Sequence, residues 1–231
     1  MKPIALGDVS IEARYGTSIR CSYDGPGWPV LRIPNIQNGH IDMHDMKYAS
    51  EPNTDLKPYQ IERGDLLFVR TNGSRDLIGR VAVVDTDDRL AFASYLIRVR
   101  PDQRRLDARF AALALASPQC RDQIETKTAT TAGQYNLNLR SIATLAIPLP
   151  PIEEQRRLTT EIESELTVLD LVSRTIDQTL LRSQSLRRSI LDQAFAGALV
   201  PQNPDESVST HLAEDQGGLT VGRLRRRKMN D

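Results

Sequence analysis

The forty-five residues from Ile152 to Ala196 contain neither glycine nor proline, and this run constrains the fold more than any other feature. Apolar side chains recur in it at intervals of three and four, which places them on one face of an α-helix. At 1.5 Å per residue such a helix extends about 65 Å, too long for its own globular unit to cover. The apolar face therefore needs a partner helix, as in a coiled coil. The predicted seam consists of Ile162, Leu166, Leu169, Val172, Ile176, Leu180, Ile190 and Ala194.

Prolines set the start of this helix in the segment IPLPPIEEQRRL, Ile147–Leu158. Proline fixes φ and disfavours helix in the residue before it, so the first two prolines predict an extended approach. Pro151 suits the first helical turn, where Glu153 and Glu154 meet the positive end of the helix dipole. Gly197 predicts the end of the helix. The pattern predicts a stiff elbow between a globular unit and the helix.

The first 150 residues have the mixed pattern of a compact α/β unit. Helical spacing over Leu106–Ala116 predicts one helix, and Ser117 followed by Pro118 predicts the N-cap and first position of another. The polar stretch TTAGQYNLN, Thr130–Asn138, has the character of a loop. Predicted strands lie in Trp28–Ile36, Gly64–Ser74, Leu77–Asp85 and Leu90–Arg100. The predicted domains are 1–150, the helical segment 151–200, and a polar, flexible tail 201–231 with the basic cluster Arg223–Lys228.

Composition narrows the class of protein. Apolar residues make up 39% and charged residues 26%, as in soluble globular proteins, and no apolar run approaches the roughly 20 residues of a membrane helix. The first residues lack the apolar core of a signal peptide, so we expect a cytoplasmic protein without membrane contact. Cys21 and Cys120 are expected to be reduced thiols. Thirty basic residues balance thirty acidic ones, so any contact with DNA must rest on local clusters.

Two segments carry a specific resemblance. The elbow, the long helix and SLRRSILDQAFAGALVPQNP, Ser185–Pro204, are together similar to the helical region of specificity (S) subunits of type I restriction-modification systems. The globular unit resembles the target recognition domain of that family. Matching stretches are RYGTS (14–18), PVLRIPNIQNG (29–39), GDLLFVRTNGS (64–74), AFASYLIRVR (91–100) and TTAGQYNLN (130–138).

The resemblance implies a non-catalytic subunit that reads double-stranded DNA. It also implies docking of a modification subunit, an adenine-N6 methyltransferase, and of a restriction subunit, an ATP-driven endonuclease. S-adenosylmethionine, ATP and Mg²⁺ are then expected in those partners, and no cofactor in this chain.

Family members usually carry two recognition domains and two antiparallel helices, which read a split target. This sequence has one of each, so two copies pair, a second half is encoded elsewhere, or the chain is a remnant. A two-fold antiparallel pair is the simplest closed solution. We predict a homodimer that reads a split palindrome, whose helices span about two turns of DNA.

Candidate DNA-binding residues are of the types that contact phosphates and base edges. Arg98–Arg109 is the most basic local segment, with five arginines and two aspartates. The first candidate loop supplies Arg70, Thr71, Asn72, Ser74, Arg75 and Arg80, and the second supplies Thr130, Thr131, Gln134, Tyr135 and Asn136. Weaker candidates are Arg32, Asn35 and Lys47. Candidates for docking the modification subunit are Glu153, Glu154, Gln155, Arg156 and Arg157.

Three alternatives remain open. The chain could be a helix-mediated scaffold without DNA specificity. Asp102, with Glu125 and Lys127, has the spacing of PD…ExK nucleases, but the last two residues fall near the end of a predicted helix rather than on strands. A zinc site built from Cys21, His40 and His44 is disfavoured because an Asn-Gly turn precedes the histidines. We therefore expect no metal site and no catalytic residue.

Overall fold

The computed structural model describes residues 3–37, 39–131 and 133–199. The chain divides into two compact units, Met1–Leu166 and Thr167–Asp231, so the first unit extends beyond Pro150 and includes the first turns of the long helix. The predicted tail, 201–231, with its basic cluster Arg223–Lys228, lies outside the described residues.

The described residues include fifteen short strands and four α-helices, joined by loops and short 3-10 helices. The strands are β1 Pro3–Ala5, β2 Ser10–Tyr15, β3 Cys21–Ser22, β4 Pro29–Leu31, β5 Ile36–Gln37, β6 His40–Ile41, β7 Lys47–Ala49, β8 Leu66–Val69, β9 Thr71–Asn72, β10 Val81–Val83, β11 Ala91–Phe92, β12 Leu96–Pro101, β13 Ala129–Thr131, β14 Gln134–Asn136 and β15 Ala146–Pro148. The helices are α1 Ala108–Ala116, α2 Pro118–Lys127, α3 Leu139–Ala143 and α4 Ile152–Phe195.

Two four-stranded sheets organise the first unit. One is antiparallel in the order β10-β8-β12-β2, and the other has the order β11-β4-β7-β3, with β11 parallel to β4. Side chains alternate along the buried strand β8. Leu66 and Phe68 pack with α1 and α2, while Leu67 and Val69 pack with Leu31 and Phe92 of the second sheet. The expected α/β unit followed by a long helix is therefore present.

The prediction of one continuous strand over Leu90–Arg100 is wrong. Phe92 pairs with Leu31 in the second sheet, whereas Leu96 pairs with Val69 in the first. The chain changes sheets through a turn closed by the Leu96 amide, which donates to the Ala93 carbonyl over 2.9 Å. The predicted strand Leu77–Asp85 is likewise reduced to β10, because a short 3-10 helix occupies Arg75–Leu77.

Both predicted helices of the first unit are present, and α1 begins at Ala108 rather than at Leu106. The Ser117 hydroxyl accepts a hydrogen bond from the Cys120 amide and caps α2, and Pro118 is the first helical residue. The Asp107 carboxylate accepts from the Arg109 and Phe110 amides at the start of α1, both over 3.0 Å. Each cap satisfies backbone N–H groups that have no partner within the helix.

The beginning of α4 is fixed by Gln155, which is fully buried. Its side-chain amide donates to the carbonyls of Arg105 and Pro150, and its oxygen accepts from the Asp107 amide, all over 2.8 Å. This corrects the assignment of Gln155 to a docking surface, because no polar atom of its side chain faces solvent. Gln155 instead joins the proline elbow to the start of α1.

Replacing Gln155 by leucine should lower the free energy of unfolding of the first unit by about 2–4 kcal/mol. The substitution keeps the volume but removes the hydrogen-bond partner of two carbonyls and one amide, of which the Pro150 carbonyl is buried. Urea denaturation followed by circular dichroism measures the change. Gln119→Leu, at an exposed position of α2, is the matched control and should leave the midpoint unchanged. An equal shift in both variants would contradict the role of Gln155.

Two of the five arginines in the basic segment Arg98–Arg109, Arg98 and Arg100, are neutralised by acidic partners within the fold. Arg98 and Asp65 are 3% and 1% exposed in their side chains, and Arg100 holds both Asp65 oxygens at 2.7 and 2.9 Å. Arg98 also contacts Glu12 at 2.6 Å. Burial lowers the pKa of the Arg98 guanidinium, and the charge of Asp65 opposes that shift. These arginines therefore stabilise the junction between β2, β8 and β12.

Helix α4 ends at Phe195, and Gly197 follows with a φ of 69°, as predicted for a glycine that ends a helix. All the predicted seam positions are exposed, from 38% at Ile162 to 61% at Leu169 where fractions are given. Among the described residues, no helix is long and apolar enough to cross a membrane.

Candidate nucleic-acid interface

The two loops that carry the main DNA-binding candidates contribute strands to one sheet. Strands β13 and β14 make a hairpin, and β14 pairs antiparallel with β9, giving the order β13-β14-β9. Tyr135 lies opposite Asn72, and Asn136 lies opposite Thr71. Segments more than sixty positions apart in the sequence are therefore held side by side by backbone hydrogen bonds.

The prediction that Thr130–Asn138 is a loop is wrong for most of its length. The segment forms a hairpin that its polar residues did not indicate, because short strands on a solvent-facing sheet need no apolar alternation. Gly133 has a φ of 77° between the two strands, a conformation that glycine adopts at little cost. The side chain of Thr131 lies outside the described part of the chain.

Arg70 anchors this sheet to the protein core. Its amide donates to the Tyr95 carbonyl over 3.0 Å, and its carbonyl accepts from the Leu137 amide over 2.8 Å. Its guanidinium carbon lies 4.6 Å from the ring centroid of Tyr15, a cation–π distance, and Nη1 lies 3.3 Å from the Ser94 carbonyl. Its buried Nε has no hydrogen-bond partner among the described residues. The backbone of Arg70 is thus fixed on both sides, and its guanidinium makes a single weak hydrogen bond within the described part of the chain.

Two tyrosines beside Arg70 were not among the candidates predicted from the sequence. Tyr15 ends β2 and is 36% exposed, and its hydroxyl accepts from the Leu139 amide over 3.2 Å. Tyr95, in the turn between β11 and β12, is 54% exposed. Ile11 and Ala13 share the exposed face of β2 with Tyr15, so the alternation of polar and apolar residues along this strand would have predicted a buried Tyr15.

The polar side chains of the sheet are oriented by local contacts. The Asn72 oxygen accepts from the Ser74 amide over 2.8 Å, which leaves its NH₂ group directed elsewhere. The Asn136 amide donates to the Gln134 carbonyl over 3.3 Å. Thr130 and Gln134 are exposed, and the Gln134 side chain makes no hydrogen bond to the described residues. Amide groups with open donor and acceptor sites can pair with the N6 and N7 atoms of adenine.

The remaining arginines of the first loop have partners. Arg75 contacts Glu125 of α2 at 2.9 Å, with both side chains substantially exposed. Such a surface pair contributes little to stability, so a phosphate could displace the carboxylate. Arg80 is half-buried and its Nη1 lies 3.4 Å from the Gln37 oxygen.

Among the weaker candidates from the early strands, the burial of Asn35 corrects its assignment, while Arg32 and Lys47 stay predictions. Asn35 is fully buried: its oxygen accepts from the Arg32 amide, and its NH₂ donates to the carbonyls of Asp42 and Asp45. Arg32 forms an ion pair with Asp45 at 3.0 Å. The Lys47 ammonium lies 4.7 Å from the centroid of the exposed Tyr23 ring and is therefore still near the surface.

The nuclease and zinc alternatives gain no geometric support. Within residues 3–37, 39–131 and 133–199, no three His, Cys, Asp or Glu side chains come together as metal ligands. Glu125 lies within α2, as predicted, and pairs with Arg75. Asp102 instead accepts from Arg104, and this bond holds the pKa of its carboxyl below the usual value.

Comparison with known proteins agrees with this geometry. The family model described as the type I restriction modification DNA specificity domain matches residues 1–176. The EcoKI specificity subunit of Escherichia coli K12 is 29% identical over 210 residues, covering 88% of this chain and 45% of that protein. The StySPI specificity subunit of Salmonella potsdam is 28% identical over 205 residues, covering 87% and 44%. The chain therefore spans a little under half the length of these curated relatives.

Solved structures share the fold. The HsdS subunit from Thermoanaerobacter tengcongensis superposes with a TM-score of 0.59 at 20% identity, covering 90% of this chain and 51% of that one. A chain from work on complex assembly and conformational transition of the type I R-M system gives 0.65 at 21% identity, covering 86% and 46%. The match over residues 1–176 includes both candidate loops, the elbow and the first half of α4. The chain belongs to the type I restriction modification DNA specificity domain family.

Proposed function

We propose that the chain is a non-catalytic subunit that recognises a DNA sequence for a type I restriction-modification complex. The single observation that carries the proposal is that β9, β13 and β14 form one polar sheet, which is fixed to the rest of the first unit. The membership of the chain in a DNA specificity family supports the same function.

In this proposal Asn72, Gln134 and Asn136 lie toward base edges, since side-chain amides suit adenine. Arg70 is suited to guanine or phosphate, while Arg75 exchanges Glu125 for phosphate. The near-zero net charge of the chain means that these local groups, rather than a broad basic surface, supply the attraction.

Replacing Asn72 and Gln134 together by alanine should weaken binding to the cognate DNA about 100-fold and leave nonspecific binding unchanged. The estimate follows from roughly 1–3 kcal/mol for each good bidentate contact with a base. The cognate sequence is identified first, by mapping methylated adenines in cells with and without this chain. Fluorescence anisotropy on that sequence and a scrambled duplex then measures both affinities.

Two outcomes of this experiment decide between functions. The control variant Gln119→Ala has an exposed glutamine on α2, outside the proposed surface, and should bind like the parent. If the double variant retained full sequence preference, the recognition surface would be wrongly placed. If the parent chain had no preference while still joining the complex, the scaffold alternative would replace our proposal.

We propose further that two copies pair through α4 in antiparallel orientation. The helix has 44 residues, about 66 Å in length, and its apolar seam is exposed throughout. Pairing would cover this seam and place one recognition domain near each end, as a split palindromic target requires.

The charges along α4 favour an antiparallel over a parallel pair. The stretch Leu158–Ser173 carries four acidic and no basic residues, whereas Arg174–Leu191 carries four basic and one acidic. In an antiparallel pair the acidic half of each helix lies beside the basic half of the other. A parallel pair would instead place like charges together, which costs free energy.

The modification and restriction subunits are the proposed partners, and S-adenosylmethionine, ATP and Mg²⁺ would act within them. The proposed docking surface is the exposed first turn of α4. Its charges form intrahelical pairs, Glu153 with Arg156 at 2.9 Å and Glu154 with Arg157 at 2.7 Å. Surface pairs of this kind exchange readily for charges on a partner.

A further inference from the structure

A groove in the first unit lies beside the N-terminal end of the seam. It encloses about 640 Å³ and is walled by β10, α1 and the beginning of α4. Its apolar lining is formed by Val81, Val83, Ala112, Leu113, Leu115 and Leu166. Arg109 and Glu163, 3.7 Å apart, are among the charged residues that also line it. A groove with both apolar and charged lining residues is suited to an amphipathic helix.

The end of α4 carries a second apolar stripe, separate from the seam. Phe195 is 90% exposed, the largest fraction among the large hydrophobic residues described, and Leu191 is 48% exposed. The two are four residues apart and therefore share one face. Leu191 follows the seam residue Ile190 and lies about 100° around the helix from it. Pairing of the two seams alone would leave this stripe uncovered.

Antiparallel pairing brings the stripe and the groove together. With the two ends of the seam matched, Leu166 lies opposite Ile190 of the other copy, and Ile162 lies opposite its Ala194. Leu166 belongs both to the seam and to the groove lining, so the groove continues the surface of the paired helices. Leu191 and Phe195 of the second copy then reach the level of Glu163 and Arg109.

We propose that the groove binds the end of α4 from a second copy of this chain, residues 191–199, with Leu191 and Phe195 as the anchors. This inference rests on the proposed antiparallel pairing. It assigns to the first unit an interface additional to the coiled coil, and a two-fold pair contains the contact twice. Each recognition domain is thereby held by both helices.

Crosslinking tests the contact directly. Leu113→Cys and Phe195→Cys are made in separate chains, mixed, and treated with a short bismaleimide. We expect a crosslinked dimer containing one chain of each kind. Leu181→Cys is the control: Leu181 is 67% exposed on the same helix but about 20 Å closer to its centre, and should give no dimer with Leu113→Cys. The unsubstituted chain, with Cys21 and Cys120, sets the background.

A second variant measures the contribution of the stripe. Leu191→Ser with Phe195→Ser should raise the dimer dissociation constant at least about 100-fold, because two copies of a buried phenylalanine and leucine are lost. Leu181→Ser should leave that constant unchanged. Sedimentation equilibrium gives both values, and circular dichroism checks that the helix persists.

The possible failures can be told apart. A monomeric parent chain would overturn the pairing and this inference with it. A dimeric parent without the crosslink, and with no effect of the serine variant, would overturn the groove contact alone. A chain that carries both cysteines can also be mixed with an excess of unsubstituted chain. A crosslink within that single chain would show that the groove binds the end of its own α4. If Leu113→Glu left the dimer intact but abolished methylation by the complex, the occupant would be the modification subunit.

Discussion

Replacing Leu169 and Ile176 by aspartate should convert the proposed dimer into monomers, with the dissociation constant raised at least about 1,000-fold. In a two-fold pair each substitution occurs twice, so four unpaired carboxylates would enter an apolar interface. Leu169 and Ile176 are 61% and 54% exposed in the isolated chain, so the substitutions place charge on a surface that only pairing buries. Sedimentation equilibrium over a range of concentrations measures the constant.

The matched control is Leu171→Asp. Leu171 is 66% exposed, but it lies about half a turn away from the seam. It adds the same charge to the same part of α4, so it should leave the constant unchanged. Equal dissociation by both variants would mean that any added charge in this part of α4 prevents pairing. The seam would then not be identified as the dimer interface.

Replacing Asp65 by alanine should destabilise the first unit by about 3–5 kcal/mol. The side chain of Asp65 is 1% exposed and holds Arg100 through two hydrogen bonds. Arg98, whose Nε lies 3.8 Å from Asp65, would also lose a neighbouring charge in a buried position. Removing one member of a buried pair leaves an uncompensated charge, which costs far more than the net contribution of the intact pair.

Asp87→Ala provides the comparison. Asp87 also holds an arginine through two hydrogen bonds, to Arg63 Nε at 2.9 Å and Nη2 at 2.7 Å, but this pair is exposed. Solvent screens it, so the urea midpoint should stay within error of the parent. If the two alanine variants lost similar stability, burial would not be the cause of the Asp65 effect.

The elbow and the ends of the helices were predictable because their signals are local. Pro151, Ser117 and Gly197 each restrict the backbone at their own position or next to it. The exposed seam followed in the same way from spacing along a single helix. No contact distant in the sequence is needed to interpret any of these features.

The pairing of Asn72 with Tyr135 was not predictable, because it joins distant segments that contain no apolar alternation. The loops could be named as candidates from residue type, but their union could not. The burial of Gln155 and Asn35 was not predicted for a related reason. Amide side chains are usually exposed, and only the tertiary fold provides the carbonyls that make their burial favourable.

The three-stranded sheet of β9, β13 and β14 is held by main-chain hydrogen bonds, which any residue except proline can make. Substitutions at its exposed positions, such as Thr130 and Gln134, therefore need not disturb its shape. If the sheet reads DNA as proposed, these side chains can be exchanged one at a time, and the target can change while the protein continues to fold. In a symmetric pair each exchange would appear in both halves of the site, so one mutation would change two positions of the recognised DNA at once.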